Sequence, residues 1–173
     1  MKTSCVLVVS LLAVVSTAAA QAEPHVRPLD LVSSLAIERG LEESARVRAL
    51  VAELEASNVI VHVIATPTLP PGLVGTMHVV TFLGATRYIR VHIATGAPPA
   101  LRVATLAHEL THACEVARSA ATSHAAVREL YRTIGSEVPG SRDAYETVAA
   151  QRAGAEVLAE LRGPRRHPPT AGQ

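Results

Sequence analysis

Leu106-Ala107-His108-Glu109-Leu110-Thr111-His112-Ala113 is the stretch around which this chain is organised. It sets His-Glu-x-x-His within a run of good helix formers. On a helix, residues four apart share a face and lie roughly 6 Å apart along the axis. His108 and His112 can therefore both reach one tetrahedral zinc at N–Zn distances of about 2.0–2.1 Å. Glu109 stands about 100° round the helix from His108. It flanks such a metal without binding it, where a base for an activated water belongs. The plainer alternative is a helix with two histidines at the surface or core edge. Against it stands the setting, since the residues between and around the histidines are mostly apolar or small.

The chain has 173 residues, room for one domain of ordinary size. Apolar residues make up 49%, enough to bury a core. With Phe82, three tyrosines and no tryptophan, that core must be built from Val, Leu, Ile and Ala. Formal net charge is +1, and Lys2 is the only lysine. Basic residues form no run outside Arg165-Arg166, so nothing in the linear sequence points to nucleic acid or another polyanion.

Residues 1–20 read as a secretory signal: Lys2 supplies the positive start, and Cys5 to Val15 an apolar run too short to span a membrane comfortably. Small-x-small cleavage sites fall after Ala20 and Ala22. The mature protein is thus expected to be exported, periplasmic or extracellular, without a stable membrane anchor; an uncleaved N-terminal anchor is the alternative. Cleavage leaves Cys114 as the sole cysteine, so no intramolecular disulfide forms. Two positions past His112 is about 200° round the helix, so Cys114 points away from the metal and reads as a small buried hydrophobe.

Residues 23–162 form the expected domain, and residues 163–173 a Pro-, Arg- and Gly-rich tail expected to be disordered. Glu23 to Pro28 is a polar lead-in. Leu29 to Ser57 is helical in two pieces broken near Gly40. Asn58 to Thr66 is rich in β-branched residues and reads as a strand. A Pro- and Gly-rich loop, Pro67 to Gly75, leads to a hairpin of Thr76 to Leu83 and Thr86 to Thr95 around Gly84-Ala85. After Gly96-Ala97-Pro98-Pro99 the helix bearing the motif runs from about Ala100 to Arg118, with Pro99 suited to its first turn. Thr122 or Ser123 caps a second helix that ends at Gly135. Asp143-Ala144-Tyr145-Glu146 has capping-box spacing and opens a last helix to about Arg162. The expected class is α+β: a small, mainly antiparallel sheet packed on the motif helix, followed by two further helices.

The stretch Leu106 to Ala113 resembles the active-site helix of the zincins, zinc-dependent metallopeptidases, and the order of elements from Asn58 to Leu161 is similar to that of small zincins. The remainder resembles small secreted bacterial proteins that pair this motif with a downstream Glu-Thr-x-x-Ala. The resemblance implies one zinc ion per chain, a peptide or protein substrate, and hydrolysis with Glu109 as general base. An extended peptide could add to a sheet edge, with Thr86–Thr95 the candidate strand.

A catalytic zinc takes three protein ligands and leaves a position open. The metzincin pattern needs Gly where Glu115 stands and His where Arg118 stands, so it is excluded. The remaining candidates are Asp143, Glu137, Glu146, Glu156 and Glu160, with His124 on an intervening helix. Glu146 is favoured on steric grounds. Ala149, Ala150, Ala153 and Gly154 follow it as a small-residue face that lets a second helix approach Ala104, Ala107, Ala113 and Ala117 of the first. This separation from His112 is similar to the gluzincin pattern. Asp143 stays open as the ligand, and Glu146 could be no more than a capping residue. Familiar gluzincins also carry an Asp shortly after the third ligand that orients a histidine. Thr147, Val148, Ala149 and Ala150 offer no carboxylate here, so that support must come from elsewhere or is weak. His62, His78 and His92 sit in strands, where the solvent face is the default and the cleft the alternative. Tyr88, Tyr131 and Tyr145 are candidate electrophiles for an oxyanion. Two rivals remain: a secreted zinc-binding domain that engages a partner without hydrolysis, and a structural domain without metal.

Overall fold

A computed structural model describes residues 23–138 and 144–163. The expected signal with both cleavage sites, Asp143, and the tail beyond Gly163 lie outside the described residues.

Val59, Val61 and Val63 alternate with less buried neighbours in β2 (Val59–Thr66), and Ile89, Val91 and Ile93 do the same in β4 (Thr86–Ala94). All six are fully buried. This period of two gives each strand one apolar face. β3 (Gly75–Leu83) turns its partly buried Met77, Val79 and Phe82 to the same side. A short β1 (Val26–Pro28) completes a four-stranded sheet in the order β1-β2-β4-β3.

Two expectations change here. The sheet is mixed rather than mainly antiparallel: β1 with β2 and β2 with β4 are parallel, and only β3 with β4 is antiparallel. β4 carries three wholly buried branched residues and takes the interior place, while β3, whose apolar residues are at most partly covered, lies at the margin. The strand Thr86–Thr95 therefore has both flanks paired and offers no edge to a peptide; β3 does. The supposed lead-in also contains β1, whose three residues are too few to show a period.

Helices α1 (Leu31–Glu43), α2 (Ala45–Glu55) and α3 (Pro99–Arg118) pack on the sheet's apolar side. The first break falls at Ser44, not near Gly40, because Ser44 accepts from Val47 N–H and caps α2. Gly40 serves packing instead: a Cβ there would lie 2.9 Å from Val47 Cγ1. Pro99 opens α3 as its composition predicts. At the other end of α3, the buried Arg87 of β4 donates to the carbonyls of Val116, Ala117 and Ser119. Carbonyls at a helix end lack the usual partner four residues on, so Arg87 satisfies them and fixes α3 to the sheet. Cys114 is wholly buried.

α4 (His124–Ile134), capped by Ser123 and ended at Gly135, follows. Then β5 (Ser136–Glu137) pairs antiparallel with β6 (Tyr145–Glu146), and α5 (Val148–Arg162) closes the described chain. The class is α+β, with five helices among the described residues.

Candidate metal centre

α3 and α5 approach closely because both present small residues at their contact. Ala104, Ala107, Ala150 and Ala153 are buried, and a Cβ on Gly154 would lie 3.4 Å from the Ala104 carbonyl oxygen and 3.6 Å from His108 Cβ. Ala149 is exposed and takes no part. The close approach puts Glu146 over the motif, but from β6 rather than from a helix. Thr147, not Asp143, caps α5, accepting from Ala150 N–H at 3.1 Å.

Three side chains converge. His108 Nε2 lies 3.3 Å from Glu146 Oε2, and His112 Nε2 lies 3.7 Å from Glu146 Oε1. One ligand atom from each of His108, His112 and Glu146 falls within 4.8 Å of the others, a group that could hold a metal ion. Two imidazoles and a carboxylate also leave a position open if the ion is tetrahedral.

The electrostatics suit a cation. Burial opposes charge on His108, but the Glu146 hydrogen bond and the nearby carboxylates of Glu109, Glu146 and Glu115 outweigh it and raise its pKa. Burial would raise Glu146; its bonds with His108 and the Thr147 N–H, and the charge of both histidines, pull it below the ordinary value. Glu109 is 5% exposed, and burial pushes its carboxyl up to about 7 against the pull of the two histidines. It packs against Gly75 at the start of β3, where a Cβ would lie 2.7 Å from Glu109 Oε1. Only a glycine leaves that carboxylate its place.

The sequence reading passed over Glu115. Its Oε2 lies 2.9 Å from His112 Nδ1, and its Oε1 accepts the Thr147 hydroxyl at 2.7 Å. A carboxylate at Nδ1 fixes that proton there and leaves the Nε2 lone pair on the side of Glu146. Thr147 N–H in turn donates to Glu146 Oε1 at 2.9 Å. One buried carboxylate thus braces His112 on α3 and the residue that holds Glu146 on β6. The available signal was a lone acid three residues after His112 in an otherwise apolar turn.

Other candidates fall elsewhere. Glu137 is exposed on β5, Glu156 pairs with Arg46, and Glu160 accepts from Ser44, the cap of α2. His124 meets Phe82 edge-on. Tyr131 is committed to the His112 carbonyl at 2.9 Å, and Tyr145 stacks on it. Tyr88, His62, His78 and His92 lie on the side of the sheet away from α3.

Beside the three side chains opens a cleft of about 390 Å³ between the loop before β3, α3 and α5. Leu73, Val74, Leu101 and Leu158 give it apolar walls. The chain matches no protein-family model, no curated protein and no solved structure.

Proposed function

We propose that the protein is a zinc-dependent hydrolase of peptide bonds, a zincin-like metallopeptidase of the glutamate-ligand kind acting outside the cytoplasm. The observation that carries this reading is the convergence of His108, His112 and Glu146 beside a buried Glu109 that is not one of the three. Nitrogen and carboxylate donors in this number suit zinc. Zinc, when bound, lowers the pKa of water from about 15.7 to roughly 7 and polarises a carbonyl.

The rest falls to the chain's own groups. Glu109 takes a proton from the attacking water at its carboxylate oxygen and passes it to the departing amine. The cleft walls Leu101 and Leu158 shield the reacting carbonyl from bulk water. β3, at the sheet margin, can pair with an extended peptide, and its first residue already lies against Glu109. One ground for the rival without hydrolysis is the missing carboxylate after Glu146; against that ground, Glu115 offers His112 a carboxylate from α3.

The test pairs metal analysis with a broad peptide library. The wild type is expected to hold about one zinc per chain and to cleave. Glu109→Gln is expected to fold, keep its zinc and lose activity by about 10²–10⁴-fold, the usual worth of positioned proton transfer. Equal cleavage by both proteins sinks the assignment of Glu109. Zinc binding with no cleavage by the wild type favours the partner-binding rival.

A further inference from the structure

The sequence scatters its basic residues, and the sheet gathers them. Arg27, His62, Arg90 and His78 stand directly opposite one another on β1, β2, β4 and β3. Opposed residues share a side of the sheet, so the four form one row across it. Their chain neighbours Val61, Val63, Ile89 and Val91 are buried in the core, so the row lies on the other side, away from the helices. His92 follows two residues after Arg90 on that same side, with its ring edge-on to His78 at a centroid distance of 6.1 Å. None of the four strands contains an aspartate or glutamate. Arg27, at the sheet margin, pairs with Glu23 at 2.8 Å. Among the described residues, His62, His78, Arg90 and His92 form no ion pair.

Such a row works against the fold. Cross-strand neighbours gain from opposite charges, and like charges directly opposed are destabilising. His62 sits between Arg27 and Arg90; His92 faces His78 and Arg90. Burial first, then these cations, keep both imidazoles below their ordinary pKa. A polyanion laid on the row reverses that repulsion.

We propose that this outer face docks an acidic polysaccharide, with successive carboxylates lying over Arg90 and the flanking histidines. Three features favour this occupant. Strands about 4.8 Å apart set the cations at a pitch comparable to the one-charge-per-ring repeat of a uronic acid chain. The row runs in one line across four strands, which suits a linear polymer; a DNA duplex presents its phosphates on a convex cylinder, and a bilayer is best met by an inserting amphipathic helix. Tyr88 and Thr76 flank the row on the same side and offer a ring for stacking and a hydroxyl for hydrogen bonding to sugars. Binding is acid-favoured, because His62 and His92 gain charge as pH falls from neutrality and the bound carboxylates favour that charge.

The test is affinity electrophoresis of the full chain through gels containing polygalacturonate, at low salt, at pH 5.5 and 7.5. Retardation is expected at pH 5.5, with affinity about tenfold higher than at pH 7.5. Arg90→Gln should weaken it about tenfold, and the double variant His62→Gln/His92→Gln should flatten the pH dependence. Arg152→Gln, which removes the same charge from the exposed side of α5, should bind as the wild type does. No retardation at pH 5.5 overturns the proposal. So does equal weakening by Arg152→Gln, an unchanged pH dependence in the double variant, or tighter binding to phosphatidylglycerol vesicles or duplex DNA than to polygalacturonate.

Discussion

Glu115 accepts from the His112 ring and from the Thr147 hydroxyl at once, and at 8% exposure it has little water to fall back on. His108, Glu109 and His112 were legible because their relation is local: helical geometry alone brings them to one face. Glu115 obeys the same geometry, but its worth depends on Thr147, 32 positions away, and no local pattern contains that partner. The expected result for Glu115→Gln is a 10- to 100-fold loss of zinc affinity, the usual cost of removing a carboxylate behind a ligand histidine. Glu115→Ala should in addition lower stability by about 1–3 kcal/mol, because it leaves buried polar groups unpaired. Competition with a chromophoric chelator reads the first, and urea unfolding of the metal-free protein the second. Unchanged zinc affinity in Glu115→Gln would remove it from the metal centre.

At the scale of elements, the small-residue face of α5 was readable and its consequence, a carboxylate beside the motif, followed. The element bearing Glu146 was misread because a capping-box spacing at Asp143 competes with a real cap four residues later, and a two-residue strand such as β6 has no period to detect. The sheet's order was hidden for a related reason: β2 and β3 are neighbours in sequence, yet β4 lies between them, and that choice reflects which strand buries more apolar surface. Gly154 tests the helix contact. Its added Cβ would meet neighbours at ordinary contact distance, so Gly154→Ala should be tolerated and gain up to about 1 kcal/mol from helix propensity. Gly154→Leu should force α3 and α5 apart, lowering both stability and zinc affinity. Thermal unfolding and zinc titration of the two variants check this; a tolerated leucine would mean that the close approach does not govern the site.

For the molecule as a whole, a ligand that binds only the folded state stabilises it by about 4.1 kcal/mol at a thousand times its Kd. In a chain of 173 residues, that corresponds to a rise in Tm on the order of 10 °C. Saturating zinc should produce such a rise, reversed by a chelator and absent in His108→Ala. A rise that persists in His108→Ala would place the ion elsewhere. The brace from His112 through Glu115 to Thr147 carries a further consequence. The hydroxyl that bonds Glu115 also accepts the amide proton of Ala150, the first restraint on fraying of α5. Occupancy of the ion site and the opening rate of that helical turn are therefore linked. The Ala150 amide should exchange with deuterated solvent more slowly in the zinc-loaded protein than in the stripped one. The Ala126 amide, held by Ser123 at the start of α4, should exchange at the same rate in both. A single backbone proton, buried in the first turn of α5, would then report whether the ion is in place.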